Sequence, residues 1–193
     1  MYEYISGKVS EITPTYIVVE NSGIGYFINI SLFSYSKFNE SENAKVFIYE
    51  AIREDAFTLY GFFDKKERDI FIQLISVSGI GANTARMMLS AMTPDEIQQA
   101  IISGNVALLK TIKGIGAKSA QRVIVDLRDK MAKITEDQEI FVDQSNTSKE
   151  EALSALVMLG FTKSQVEKTL SKMQKETTEL SVEELIKEVL KRL

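Results

Sequence analysis

Twice between Ile70 and Met131 the chain sets a glycine on either side of an isoleucine within a matching phrase. The first copy is Ser76-Val77-Ser78-Gly79-Ile80-Gly81-Ala82-Asn83-Thr84-Ala85-Arg86. The second, thirty-five positions on, is Thr111-Ile112-Lys113-Gly114-Ile115-Gly116-Ala117-Lys118-Ser119-Ala120-Gln121. Each reads as helix, Gly-Ile-Gly turn, helix. Glycine allows a tight turn and a close approach of backbone to ligand. The N–H groups that open the second helix of each copy carry partial positive charge and have no partner within the helix. Such a turn holds a phosphate without using a side chain, and two of them suit a ligand whose phosphates are regularly spaced. A single Gly-x-Gly turn can simply join two helices. The matched apolar, small and alanine positions of two copies are what point to a DNA backbone.

The copies differ in charge. Lys113, Lys118 and Arg122 surround the second turn, whereas Ser78 and Asn83 stand at the places of Lys113 and Lys118 in the first, with Arg86 in partial compensation. The expected DNA contacts are Gly79, Ile80, Gly81, Asn83 and Arg86 at the first turn, and Lys113, Gly114, Ile115, Gly116, Lys118 and Arg122 at the second. The second turn is expected to supply more of the electrostatic affinity. Backbone contacts carry no base information, so binding should select structure rather than sequence.

A second constellation is Arg53-Glu54-Asp55, at an expected hairpin tip. Acidic residues are common in solvated turns. Against DNA the same carboxylates would repel phosphates and so steer strands rather than bind them. Catalytic groups are scarce: there is no histidine, no cysteine and no Gly-rich phosphate loop ending in Lys-Ser/Thr. Asp and Glu could hold Mg²⁺ for a structure-specific nuclease, which is the alternative function. No acidic motif singles out such a site, and Asp126 and Asp129 read as helix-surface charges. No cofactor and no metal are expected.

The elements that must position these residues follow from the pattern. Residues 1–63 read as five short strands rich in β-branched and aromatic residues: Tyr4 to Ile12, Tyr16 to Glu20, Tyr26 to Ile30, Lys45 to Tyr49 and Ala56 to Tyr60. That number of strands in so short a stretch suggests a small barrel such as an OB-fold. From Asp64 the period becomes helical, with Ile70, Phe71, Leu74 and Ile75 on one face. Thr93-Pro94-Asp95-Glu96 is a helix start with a capping box, and a long helix is expected from Lys118 to about Ala132. Residues 134–147 read as a polar, flexible tether interrupted by Ile140-Phe141-Val142. Residues 148–193 read as three helices opened by capping boxes at Ser148/Glu151, Thr162/Gln165 and Ser181/Glu184. Between the first two, Leu159-Gly160-Phe161 is either a glycine helix end or an exposed apolar knob for a protein partner.

The net charge of −4 argues against nucleic acid until it is resolved along the chain. Residues 1–63 carry four Lys/Arg against eight Asp/Glu, and residues 134–193 carry eight against twelve. Residues 64–133 carry eleven against seven, so the basic segment is the one that holds the glycine turns. No apolar run approaches the roughly 20 residues of a membrane span, and Met1-Tyr2-Glu3-Tyr4-Ile5 does not open a signal peptide. A cytoplasmic protein is expected.

Taken in order, Arg53-Glu54-Asp55-Ala56, Leu59-Tyr60-Gly61-Phe62, Gly79-Ile80-Gly81, Ile112-Lys113-Gly114-Ile115-Gly116-Ala117-Lys118 and Ala155-Leu156-Val157-Met158-Leu159-Gly160-Phe161 resemble the RuvA family over nearly the whole chain. Members of that family are Holliday-junction-binding subunits of the bacterial branch-migration complex. The resemblance implies an α+β multidomain protein: OB-fold barrel, central tandem helix-hairpin-helix domain, and a C-terminal three-helix UBA-like module. It implies a flat homotetramer, with pairing into an octamer left open, that holds a four-way junction open and roughly square. Glu54 and Asp55 match the family's acidic pin, and the two hairpins would grip the minor-groove sides of the arms. The last module would bind a RuvB-type hexameric ATPase through Leu156, Leu159, Phe161 and Leu190, some of which must also serve its core. A RuvC-type junction resolvase would be a further partner, and the cytoplasmic setting would be the nucleoid. Asn83 and Ala117 depart from more basic positions of the family, which implies an arm grip that is weaker or leans more on backbone, with junction recognition by shape retained. An RNA- or ribosome-binding role for the barrel is a third reading.

Overall fold

The computed structural model describes residues 1–139, 147–173 and 181–192; Ile140-Phe141-Val142 and the middle of the expected tether lie outside them. Five strands, β1 (Tyr4–Ile12), β2 (Tyr16–Asn21), β3 (Ile24–Ile30), β4 (Asn43–Ile52) and β5 (Phe57–Phe62), close into a barrel in the order β1-β2-β3-β5-β4. β1 pairs with β4 to complete the ring, and only β3 and β5 run parallel. Alternate residues point inward: Ile17 and Val19, Ile28 and Ile30, Val46 and Ile48 are all buried. The OB-type barrel read from the strand pattern is therefore present. Helix α1 (Leu32–Phe38) lies between β3 and β4 and was not expected, because its serines and aromatics carry no clear helical period. Ser31 caps it by accepting the Ser34 N–H, and Phe38 joins the barrel core.

The helices that follow are α2 (Lys65–Ile75), α3 (Ala82–Ala91), α4 (Pro94–Ile102), α5 (Val106–Leu109) and α6 (Ala117–Glu139). Thr93 and Glu96 form the expected capping box, with Pro94 in the first turn of α4. Of the face read from the period, Ile70, Phe71 and Leu74 are buried and Ile75 is partly buried, and Met88, Leu89, Ile97, Ile101, Val123, Leu127 and Met131 of the later helices join them in one core. Helix α6 runs on to Glu139, into the stretch read as tether.

The chain forms two compact units, Met1–Ile134 and Thr135–Leu193, so the barrel and the glycine-turn helices share the first. Phe71 of α2 is the reason. Its ring centroid lies 4.8 Å from that of Phe62, 5.3 Å from Tyr49 and 5.4 Å from Tyr60, all on barrel strands. One helical turn before it, the carboxylate of Glu67 is also buried. It accepts hydrogen bonds from the Ser31 and Ser34 hydroxyls, the latter at 2.6 Å, and from the Phe63 N–H at 3.0 Å. The same residue's N–H is capped by Asp64 at 2.8 Å. Within a run as charged as Lys65-Lys66-Glu67-Arg68-Asp69, nothing marks one carboxylate for burial.

The second unit contains α7 (Thr147–Met158), α8 (Lys163–Met173) and α9 (Val182–Leu190). Ala152, Leu156, Val166, Met173, Leu185 and Val189 form its core. The Ser181/Glu184 capping box is formed, whereas the side chain of Ser148 lies outside the described residues. Val157 and Leu190 lie on the surface of this unit, 40% and 43% exposed. Among the described residues no helix is long and apolar enough to cross a membrane.

Burial raises the Glu67 carboxyl above its ordinary range, against the pull of its three hydrogen bonds toward the charged form. A raised folded-state value means that its contribution is fully present below the ordinary carboxylate range and is lost as pH rises through the elevated value. Glu67→Ala strands the two serine hydroxyls, while the Phe63 N–H keeps Ser34 Oγ as an acceptor at 2.9 Å, and should cost about 3 kcal/mol in urea unfolding followed by tyrosine fluorescence. Glu67→Gln should gain on the wild type as pH is raised from about 4 to 8; a difference constant with pH would contradict the assignment.

Candidate nucleic-acid interface

The two glycine turns are built alike. Ile80 N–H donates to Val77 O at 3.0 Å, and Ile115 N–H to Ile112 O at 3.0 Å. Ala85 N–H meets Gly81 O at 2.9 Å, and Ala120 N–H meets Gly116 O at 2.9 Å. Gly79 and Gly114 have φ of +94° and +91°, the left-handed region that side chains disfavour. Ile80 and Ile115 are both buried. Expected from the sequence among the DNA contacts, these isoleucines plug each turn into the core beneath it and do not present their side chains outward. Helix α3 has Gly81 as its N-cap and no side-chain cap, which leaves its first N–H groups without a side-chain acceptor.

The charged residues distribute as follows. Lys113 and Lys118 are exposed and form no ion pair among the described residues. Lys110, not singled out from the sequence, is exposed on the same connection before the second turn. Arg122 is exposed on α6, and its Nη1 donates to the Ser78 carbonyl at a long 3.4 Å, tying the second hairpin to the first. Arg86 is only partly exposed, and its Nη1 donates to the Thr15 carbonyl of the barrel at 2.9 Å. The Asn83 side chain is exposed, with its Oδ1 3.4 Å from Tyr60 Oη. The first turn is thus held by the barrel, while the second carries the free cations.

Glu54 and Asp55 sit where β4 turns into β5. The Arg53 N–H closes the tip on the Ala56 carbonyl at 2.8 Å, just above the last strand pair, Ile52 with Phe57. Both carboxylates are exposed and unpaired among the described residues, and Ile52 beside them is 71% exposed. This tip projects its charge into solvent. Among the described residues no group of three or more acidic side chains comes together as a metal site.

In the second unit, α7 ends in a Schellman turn. The Phe161 N–H reaches Leu156 O at 3.2 Å, the Gly160 N–H reaches Val157 O at 3.0 Å, and Gly160 has φ +101°. The glycine helix end is therefore formed, and it also creates an apolar knob: Met158 is 87% and Leu159 63% exposed. Phe161 packs on the core from its edge, and Leu190 is exposed at the end of α9. Leu156 is wholly buried in that core, so its side chain is not part of the surface on which the sequence reading placed it.

A closed OB-type barrel fused to two matched helix-hairpin-helix turns, with helix-opening N–H groups and free lysines, defines the class: a tandem helix-hairpin-helix protein. Residues 1–61 match the RuvA N-terminal domain, residues 71–129 the SAM-like helix-hairpin-helix tandem, and residues 148–193 the RuvA C-terminal domain. Proteins named Holliday junction branch migration complex subunit RuvA are similar along the whole of both chains: 52% identical in Christiangramia forsetii, 48% in Bacteroides thetaiotaomicron and 46% in Flavobacterium psychrophilum. The chain belongs to the RuvA family.

The two glycines of each turn should behave differently. Gly79→Ala and Gly114→Ala force a side chain into left-handed backbone and should each cost about 1–2 kcal/mol of stability. At Gly81 and Gly116 an added Cβ meets nothing within 4 Å, and φ lies outside the left-handed region. Alanine there should leave stability within about 0.5 kcal/mol but push a bound backbone away, weakening DNA binding. Unfolding and gel-shift measurements on the four variants check both halves.

Proposed function

We propose that this chain is the non-catalytic DNA-binding subunit of a branch-migration complex, holding Holliday junctions open for a separate motor during recombination and repair. The observation that carries this reading is the duplicated turn: two identical backbone cradles, one flanked by free lysines, attached to a barrel with an unpaired acidic tip. The full-length similarity to proteins named for the branch-migration complex supports the same role. No observation favours a nuclease.

Gly79, Gly81, Gly114 and Gly116 bring backbone N–H groups to phosphates, and Lys113, Lys118 and Arg122 neutralise them. Each phosphate neutralised adds about 0.9 to the log–log salt slope. Glu54 and Asp55 face the crossover, where repulsion of phosphates separates strands and guides them into the exit arms. The assembly is a homotetramer, with each copy supplying one acidic tip. The exposed Met158, Leu159 and Leu190, with the edge of Phe161, form the docking surface for a RuvB-type hexameric ATPase, and a RuvC-type resolvase acts on the same complex. The working units are residues 1–63, 64–133 and 148–193, and the setting is the cytoplasm, at the nucleoid.

A gel shift should show tighter binding to a four-way junction than to a linear duplex of equal length, with light scattering giving a tetramer on the junction; equal affinity for the two DNAs sinks the idea. Neutralising the tip as Glu54→Gln with Asp55→Asn should retain or tighten junction binding while altering branch migration, and weaker binding would contradict the repulsion argument. Removing residues 148–193 should leave junction binding intact and abolish stimulation of the ATPase. Persistent stimulation would place the motor contact elsewhere.

A further inference from the structure

Helix α3, which starts at the first glycine turn, is fastened along one face to the barrel and to the start of α1. Arg86 Nη1 donates to the Thr15 carbonyl, in the connection between β1 and β2, at 2.9 Å. One turn on, Ser90 Oγ accepts the Leu32 N–H at 3.1 Å and donates back to the Arg86 carbonyl at 2.8 Å. At the start of the helix, Tyr60 Oη reaches toward Asn83 Oδ1 at 3.4 Å. Asn83, Arg86 and Ser90 are three and four residues apart and so lie along one face, and that face meets the barrel. Among the described residues the second turn has no hydrogen bond to the barrel; its link is to the first turn, through Arg122 and the Ser78 carbonyl.

We propose that Arg86 is a positioning residue rather than a phosphate ligand. With Ser90 and Tyr60 it sets the angle at which the first hairpin is held against the barrel, and through it the angle between a gripped DNA arm and the acidic tip. This rests on the junction-binding reading above. Arg86 is a partly exposed residue, and its guanidinium is committed to a main-chain carbonyl through a charge-assisted bond. Lys113 and Lys118 are exposed and uncommitted, so they meet phosphates with no internal bond to break. A linear duplex needs only the turns. A junction needs arm and barrel in fixed register, because the tip that faces the crossover is carried by the barrel. With the clamp cut, the competent orientation becomes a fraction of the population, and the apparent junction affinity falls by that fraction. Loss of one hydrogen bond to a charged group makes this about tenfold.

The test measures dissociation constants of the full-length protein for a four-way junction and a linear duplex across a salt series. Arg86→Ala should weaken junction binding about tenfold, leave duplex binding unchanged, and keep the wild-type salt slope. Arg86→Lys should restore much of the loss. Tyr60→Phe, which changes no charge, should show the same selective loss in smaller measure. Equal weakening on both DNAs with a slope lowered by about 0.9 makes Arg86 a phosphate ligand and overturns the proposal; so does an absence of effect. If Arg86→Ala fails to fold by circular dichroism, Ser90→Ala decides by the same criteria. Lys118→Ala keeps the two levels apart. It should weaken both DNAs and lower the slope by about 0.9; an unchanged slope there overturns the phosphate-gripping reading itself.

Discussion

One turn of α2 holds the first unit together. Glu67 and Phe71, four residues apart on one face, both enter the barrel side of the interface. Phe71 supplies the apolar contact with three aromatic rings on β4 and β5. Glu67 supplies direction, since hydrogen bonds, unlike apolar contacts, fix an angle. Its partners come from the cap of α1 and from the end of β5, so one carboxylate joins three pieces of chain that would otherwise pivot. A barrel and a helical pair connected by a short link would be two separate domains. With this seam they form one body, and the glycine turns inherit a fixed relation to the acidic tip.

That fixed relation gives the charge pattern its meaning. Averaged over the chain the protein is acidic, at −4. Resolved in space, Lys110, Lys113 and Lys118 stand exposed around the second turn with no ion pair among the described residues, and the exposed carboxylates of Glu54 and Asp55 stand at the hairpin tip. Cations and helix-opening N–H groups attract a phosphate backbone wherever it runs, whereas exposed carboxylates exclude it from one place. Attraction along the arms with exclusion at a centre is a physical description of selectivity for a branched DNA over a straight one. It uses the backbone and its geometry and needs no base contact.

The second unit shows how one local motif serves two purposes. The Schellman turn at Gly160 reverses the chain so that Phe161 can pack on the core while Met158 and Leu159 are left outside. Helix end and apolar knob, alternatives when read as sequence, are consequences of the same turn. Leu156 makes the complementary point. It lies among the same apolar residues, yet it faces inward because it sits one turn after Ala152, on the stripe shared with that residue and the buried residues of α8 and α9.

Local chemistry accounts for what the residues alone determined. Strand alternation, helical period, the Thr93 and Ser181 caps and the paired glycines each depend on residues within a few positions of one another, so they can be read in order along the chain. The barrel, the twin turns and the acidic hairpin were legible for that reason. The tertiary structure alone decided which charges are buried, which are tied and which are free. Glu67 stands among four other charged residues and is chosen for burial by serines more than thirty positions away. Arg86 reads as a free cation until the carbonyl of Thr15 is brought to it across 71 residues. Ile80 and Ile115 look like part of the grip until the core closes beneath them. A charged or apolar side chain acquires its role from the neighbours that folding brings to it, and those neighbours are remote in sequence.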